Sequence, residues 1–399
     1  MTLRPAAETR RTTAAPPLLL LAVLGLGPLG AAGCSGCSEP PPSPPAAECR
    51  LSSDLPATTV DVVLRNAAAQ GLPRAERIAG QGLGASALPP RPAPAPAPVN
   101  NTGGAAAALA APQPATPAPS AAPAPASGGD LRWDLEPYGA IAAAAKGELE
   151  PLPAAGADVP DLWRDPGGTW VAIGGRAQVL LVSRDALAAQ IKGDAQTGTV
   201  DVPKRFTALT EPWLKGKVAL AAPTGGASLA HFAALYQVWG DERMRSWLDG
   251  LKQNQAQVLA SDAEVRIAVV SGAAVVGLLG SDEAAKAAAS ASNVDVVYPN
   301  QKSIGTFVWP TALSRPRNAA HPDAASRLAE RLADRATEQL LVAREPGFLP
   351  LRAGIPVPPG VRGASSLVVI SVNPARIVEE IGLRKAELEA WTKEMQAKK

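Results

Sequence analysis

The stretch Lys217-Val218-Ala219-Leu220-Ala221-Ala222-Pro223-Thr224-Gly225-Gly226-Ala227-Ser228-Leu229-Ala230-His231 reads as a short apolar strand that passes through a glycine pair into a helix. Glycines at a strand-to-helix turn let backbone N–H groups approach a ligand, and the helix N-terminus adds partial positive charge and a hydroxyl. The turn is therefore a ready cradle for an anion or a carboxylate. It lacks the Gly-Lys-Ser/Thr ending of a nucleotide P-loop, and glycine and serine at such a turn serve equally well as plain helix caps.

On either side of this unit, short apolar runs alternate with helical periodicity from Asp130 onward, the signature of α/β architecture. The pattern predicts strands over Trp170 to Ile173, Gln178 to Val182, Lys217 to Ala221, Val275 to Leu279, Val294 to Tyr298 and Gly305 to Pro310. Helices are predicted over Ser228 to Trp239, Glu242 to Asn254, Asp262 to Ser271, Ser281 to Ala291, Pro322 to Leu341 and Arg384 to Ala397. Further upstream, Cys49 to Ala79 reads as a small strand-and-helix unit, with Thr59 to Leu64 as its β-branched run and Leu64 to Ile78 as its amphipathic part. That unit is too small to bury a core and must dock on something else.

The chain of 399 residues carries 41 prolines, too many and too clustered for one packed body. Residues 85–129 are nearly all Pro, Ala, Gly, Ser and Thr, with too little large apolar side chain to offset their conformational entropy, and read as a disordered insertion. All eight tryptophans lie between Trp133 and Trp391, which places the core beyond that insertion. At the other end, Arg4, Arg10 and Arg11 precede an apolar run from Ala14 to Leu29 broken by Pro16, Pro17 and Pro28. The run is too short for a membrane span and suits a signal peptide over residues 1–33. Ala31-Ala32-Gly33 before Cys34 resembles a bacterial lipobox, although Ala31 stands where leucine is preferred, so Cys34 is the expected lipidation site and residues 34–47 a Pro-rich tether. Cys37 and Cys49 are left as a possible pair. A net charge of +2 with interspersed signs offers no stripe for nucleic acid, and three N-terminal cysteines with only His231 and His321 close off a Cys/His zinc site.

Several ordered motifs share one resemblance. Glu211-Pro212-Trp213-Leu214-Lys215-Gly216-Lys217, the Pro223-Thr224-Gly225-Gly226 turn and the Leu229-Ala230-His231 helix are similar to the iron(III)-type branch of the family 1 extracellular solute-binding proteins of ABC importers. The likeness continues through Gly277-Leu278, Val297-Tyr298-Pro299-Asn300-Gln301, Gly305-Thr306, His321-Pro322 and Pro350-Leu351-Arg352. Upstream it reaches Trp133 to Glu136 and Gly175-Arg176-Ala177. It implies a type II periplasmic-binding-protein fold: two α/β lobes joined by crossing strands that close over a solute by hinge motion. On that topology lobe one takes residues 48–84 and 130–185, lobe two 186–299, a return to lobe one 300–345, and a C-terminal segment with its helix 346–399. The insertion then interrupts one cleft wall.

The resemblance also implies site residues. Glu136 ends a Trp-x-x-Glu matching the family's cleft glutamate, or is an exposed acid beside Pro137. Ser52 and Ser53 match the loop after the first strand, and Arg176 stands in the Arg-Ala strand, where it meets an anionic solute or pairs with an acid. Thr224, Gly225, Gly226 and Ser228 form the turn, and Tyr298 belongs to the downstream motif. Asp262 replaces a family asparagine, with a helix N-cap as its plain alternative. Asp282 and Glu283 stand where ferric members place adjacent tyrosines; the only tyrosines here are Tyr138, Tyr236 and Tyr298, so the paired-tyrosine clamp is missing. If both acids face the cleft with Glu136, the solute is a cation or bears a metal; if the glycine turn dominates, it is an anion.

Catalysis has little support: Ser228 and His231 share a helix face without an oriented acid or a nucleophile elbow. The expectation is an exported, lipid-anchored, monomeric receptor that needs no cofactor, has a permease and an ATPase as partners, and takes a small molecule or metal ion as solute. Its alternative is an envelope lipoprotein that keeps the fold for sensing or protein contact.

Overall fold

The computed structural model describes residues 48–80, 129–193 and 201–397. The signal segment, the tether with Cys34 and Cys37, and the Pro/Ala-rich stretch up to residue 128 lie outside the described residues.

The chain opens with β1 (Cys49–Ser53), α1 (Ala57–Ala69) and β2 (Ala75–Ala79), a parallel β-α-β unit. It continues through β3 (Leu131–Asp134), α2 (Tyr138–Ala145), β4 (Leu149–Glu150) and β5 (Trp170–Val171). The next strand, β6 (Gly175–Ser183), enters a second sheet. There follow α3 (Arg184–Gly193), β7 (Val218–Ala221), α4 (Gly226–Gln253), β8 (Gln257–Leu259), α5 (Asp262–Val270), β9 (Val276–Gly280), α6 (Ser281–Ser290), β10 (Val294–Val297) and β11 (Val308–Pro310). The chain then returns to the first sheet through β12 (Ala312–Pro316), adds α7 (Pro322–Leu332) and α8 (Arg335–Arg344), and ends with α9 (Pro374–Ala397) against α4. The first sheet runs β2-β1-β3-β12-β4, with β5 also on β12. The second runs β10-β6-β9-β7-β8, with β11 also on β6. The expected two-lobed α/β architecture is present.

Local chemistry explains most of the elements. Every residue of β6 except Arg176 is buried, as a strand central to its sheet requires. Gly240, at φ +76°, divides α4 into the two helices that the sequence predicts. The single helix predicted over Pro322 to Leu341 instead breaks in two, because the Asp334 carboxylate accepts from the Thr337 N–H (2.7 Å) and starts α8 afresh. The run Thr59 to Leu64, predicted extended, lies inside α1: Thr59, Val60, Val63 and Ala67 fall on one helical face and are buried there, so packing overrides β-propensity. Cys49 is a buried free thiol in β1, its pKa pushed up to about 11 chiefly by burial. No helix among the described residues is long and apolar enough to cross a membrane.

The lobes are joined where β5 passes into β6 and β11 into β12. Thr311 ties the two crossings together: its Oγ1 donates to the Ile173 carbonyl (2.9 Å) and accepts from the Ile173 N–H (3.1 Å), and its N–H donates to the Gly174 carbonyl (3.0 Å). Gly174 has φ +69°, and a Cβ there would lie 2.5 Å from the Phe348 ring, so only glycine fits. A third pass joins them through the reciprocal Gly175–Leu349 hydrogen bonds of 3.0 and 2.8 Å.

His231 is fully buried in α4, within 4.6 to 5.8 Å (ring centroids) of Phe206, Phe307 and Phe232, and neither ring nitrogen has a hydrogen-bond partner. Burial pushes its pKa down to about 3. The unfolded chain protonates this ring below about pH 6.5 whereas the fold does not, so stability falls as pH drops from about 6.5 toward 3. His231→Leu is expected to remove that dependence, worth about 1.4 kcal/mol per pH unit, and to raise stability at pH 7. Urea midpoints of both proteins at pH 7 and pH 5 check this; equal losses on acidification would contradict it.

Candidate functional site

In α/β sheets ligands gather at the carboxyl ends of the parallel strands. Both lobes present their polar residues there. In lobe one, Asp54 follows β1, Asp134 ends β3, and Glu136 follows two residues later. In lobe two, the Thr224-Gly225-Gly226 turn follows β7, Asp262 follows β8 and Asp282 follows β9. Arg176, on the crossing strand β6, stands between the two sets.

The contacts link these groups into one cluster. Arg176 Nη1 lies 3.4 Å from Asp282 Oδ2, its guanidinium sits 5.6 Å from the Phe348 ring centroid, and its buried Nε has no partner. Asp262 and Asp282 converge over Gly280, whose Cβ would lie 3.1 and 2.6 Å from their carboxylate oxygens. Asp262 Oδ2 accepts from the Gly280 N–H (3.0 Å), while its Oδ1 is buried without a partner. Its neighbour Ser261 caps α5 by accepting from the Glu264 N–H, so Asp262 is not the helix cap. Burial, followed by the charges of Asp282 and Glu283, pushes the Asp262 carboxyl up to about 7, against the lowering effect of the Gly280 N–H and Arg176.

Lobe one is equally acidic. Asp134 is 3% exposed, its Oδ2 has no partner, and burial plus the nearby Asp54 push its carboxyl up to about 7. The Asp54 pKa is also raised, chiefly by desolvation, with Arg176 and the Leu135 N–H pulling it back. That N–H donates to Asp54 Oδ1 (2.5 Å), which fixes the backbone leading into Glu136. Glu136 Oε1 then lies 3.4 Å from where a Cβ of Gly226 would be, so a carboxylate of lobe one faces the glycine turn of lobe two. Gly226 has φ +58° and Gly225 is extended, so the turn presents bare backbone to that carboxylate.

Among the residues singled out in the sequence, Glu136, Arg176, Thr224, Gly225, Gly226, Asp262 and Asp282 therefore lie along the facing edges of the lobes. Others do not join them. Ser53 Oγ donates to the Trp133 carbonyl (2.7 Å), and Ser52 is buried within β1. Ser228 is buried inside the first turn of α4. Glu283 turns to Arg266 (2.8 Å) and Lys286; burial opposes ionisation, but these two cations hold its pKa below the usual range. Tyr298 accepts from the Arg362 N–H (3.3 Å) and lines a separate groove. Asp54 and Asp134 are absent from the sequence reading, although each is next to a residue in it: Asp54 follows Ser53, and Asp134 lies within Trp133 to Glu136. Among the described residues no three His, Cys, Asp or Glu side chains already sit together as a metal-ligand set.

The profile of a family described as bacterial extracellular solute-binding protein matches residues 142–357. The chain belongs to this solute-binding family. Members of this family are described as bacterial extracellular solute-binding proteins. Iron uptake protein A1 of Synechocystis is 25% identical over 209 residues, a match spanning 50% of this chain but only 55% of that protein. Iron uptake protein A2 of the same organism is 24% identical over 273 residues, 63% of this chain and 74% of that protein. In fold, the solute-binding protein is similar to iron-bound HitA from Pseudomonas aeruginosa, with a TM-score of 0.60 at 18% identity, covering 87% of this chain and 98% of HitA. Apo FutA2 from Synechocystis gives 0.61 at 18% identity with the same coverage.

Proposed function

We propose that this protein captures a metal ion or metal-bearing cation between its lobes and delivers it to a membrane permease driven by an ATPase. The observation that carries this reading is the pairing of Glu136 with the glycine turn. The glycine turn, a cradle suited to an anion, already faces the chain's own carboxylate, while unpartnered oxygens along the facing edges of the lobes belong to Asp134 and Asp262. Five acids, Asp54, Asp134, Glu136, Asp262 and Asp282, lie along these edges against two cations, Arg176 near Asp54, Asp262 and Asp282, and Arg132 near Asp134, so the cleft favours positive charge. Carboxylates are hard donors and can stand in for the missing tyrosine pair. The relatives named as iron uptake proteins make iron the first ion to test. We place the protein outside the cytoplasm as a monomer, tethered to the membrane through lipidated Cys34.

Metal titration of the full chain, followed by calorimetry and thermal shift, tests the reading. Asp262→Asn and Asp282→Asn are each expected to weaken binding on the order of 10–100-fold, whereas Gly225→Ala, at an extended residue, leaves it unchanged. A carboxylate must lose its proton to bind a metal, and Asp262 and Asp134 hold theirs up to about pH 7. Affinity should therefore fall as pH drops below 7, roughly tenfold per unit for each proton displaced. Binding that ignores both substitutions and pH would overturn the proposal. No stabilisation by any metal, with retention of the fold, would favour sensing or protein contact instead.

A further inference from the structure

Lobe two carries a second cavity, away from the Arg176 cluster. It is a groove of about 1140 Å³ beside the edge strand β10, and none of Glu136, Arg176, Asp262 or Asp282 lines it. Its walls carry four basic side chains, Lys204, Arg205, Lys302 and Arg362, against two acidic ones, Asp201 and Glu211. Lys204 offsets Asp201 (2.9 Å), whereas Glu211, whose Oε2 accepts from the neutral Trp213 Nε1–H (2.7 Å), keeps its negative charge. Among the described residues Arg205 and Lys302 have no acidic partner, and both are exposed. Arg362 lies over the Tyr298 ring at 6.0 Å and donates to the Ser366 carbonyl, contacts that leave its charge uncompensated.

Asn300 organises the floor of this groove. It is 4% exposed, has φ +60°, and connects two segments: its N–H donates to the Lys204 carbonyl (2.7 Å) and its Oδ1 accepts from the Phe206 N–H (3.3 Å). Its amide Nδ2 is buried and has no partner. A buried amide donor left unpaired is costly, and sites built for a ligand are where such a cost persists. The groove thus combines an excess of two positive charges, from four bases against two acids, with one spare amide donor and an aromatic wall, in a volume of the size used for small molecules.

We propose that this groove is a second binding site, specific for a small multivalent oxyanion bearing phosphate or carboxylate groups. It is independent of the interlobe cleft and of the cation proposed to bind there.

Calorimetric titration of the full chain with pyrophosphate, and in parallel with citrate, in low-salt buffer free of phosphate tests it. The two probes separate a phosphate ligand from a carboxylate one. Wild-type protein is expected to bind at least one of them, and the Arg205→Ala/Lys302→Ala double variant to bind it roughly tenfold more weakly or worse. Both replaced side chains are at the surface, so the fold is retained, as matching melting curves would verify. Asn300→Asp keeps the acceptor for Phe206 and tolerates the positive φ but replaces the spare donor with a negative charge. It should weaken binding at least as much, whereas Asp262→Asn should not. Failure of both probes to bind at millimolar concentration, or wild-type affinity in the double variant, would overturn the site. Loss of anion binding in Arg176→Ala alone would do so too, by assigning the anion to the cleft.

Discussion

Glu338→Ala is expected to cost about 3–5 kcal/mol of stability, the range found when one partner of a buried ion pair is removed. Glu338 is fully buried in α8, and its Oε2 accepts from Arg352 Nη1 at 2.6 Å, with Arg352 only 2% exposed. Its other oxygen accepts from the backbone N–H groups of Leu351 (2.5 Å) and Arg352 (3.3 Å). Alanine would leave those two donors unpaired and the guanidinium with only Asp158, at 2.8 Å and half exposed, as its counter-charge. The segment this pair anchors runs directly from Leu349, which bonds Gly175 at the crossing between lobes. A drop in melting temperature on the order of 10 °C should follow, and Glu338→Gln, which keeps one acceptor, should lose less. Chemical denaturation at pH 7 checks the ordering; an alanine variant within 1 kcal/mol of wild type would contradict it.

Gly347→Ala should damage both the fold and the cleft. Gly347 has φ +67°, and a Cβ there would lie 2.0 Å from the Ser281 carbonyl oxygen and 2.6 Å from the Asp282 nitrogen, both backbone atoms that cannot swing aside. Left-handed backbone at a non-glycine residue together with overpacking costs roughly 2–5 kcal/mol. Relief requires moving Ser281, whose Oγ donates to the Gly347 carbonyl (2.7 Å) and accepts from the Ala177 N–H (3.1 Å). Ala177 adjoins Arg176 and Ser281 adjoins Asp282, so the displacement reaches both members of the Arg176–Asp282 pair. Calorimetry on the variant should show weaker metal binding than wild type at a temperature where circular dichroism reports it folded. Unchanged affinity and unchanged stability together would refute the coupling.

Much of the architecture is legible from residue order. A continuous apolar run bounded by turn residues can only be a buried strand or a short core helix, and the glycine pair after Ala221 decides the turn between β7 and α4. The misreadings have two different causes. Thr59 to Leu64 has β-branched propensity, but its burial follows a helical face set by partners elsewhere in the chain. The break before α8 turns on one capping carboxylate, Asp334, a local choice that helical periodicity does not register.

The acids of the candidate site divide along the same line. Sequence alone established the α/β class, the strand–turn–helix at Pro223 to Ser228, the absence of a tyrosine pair and the presence of acids at positions 282 and 283. Tertiary structure decided which acid faces which partner: Asp282 meets Arg176, adjacent Glu283 meets Arg266 and Lys286, and Glu136 crosses to the glycine turn. It also brought in Asp54, and Asp134 from an unspecified position of the Trp-x-x-Glu motif. The reason is physical. Strand and helix patterns are written in local spacing, whereas the field felt by a carboxylate depends on burial and on charges brought near it from distant parts of the chain.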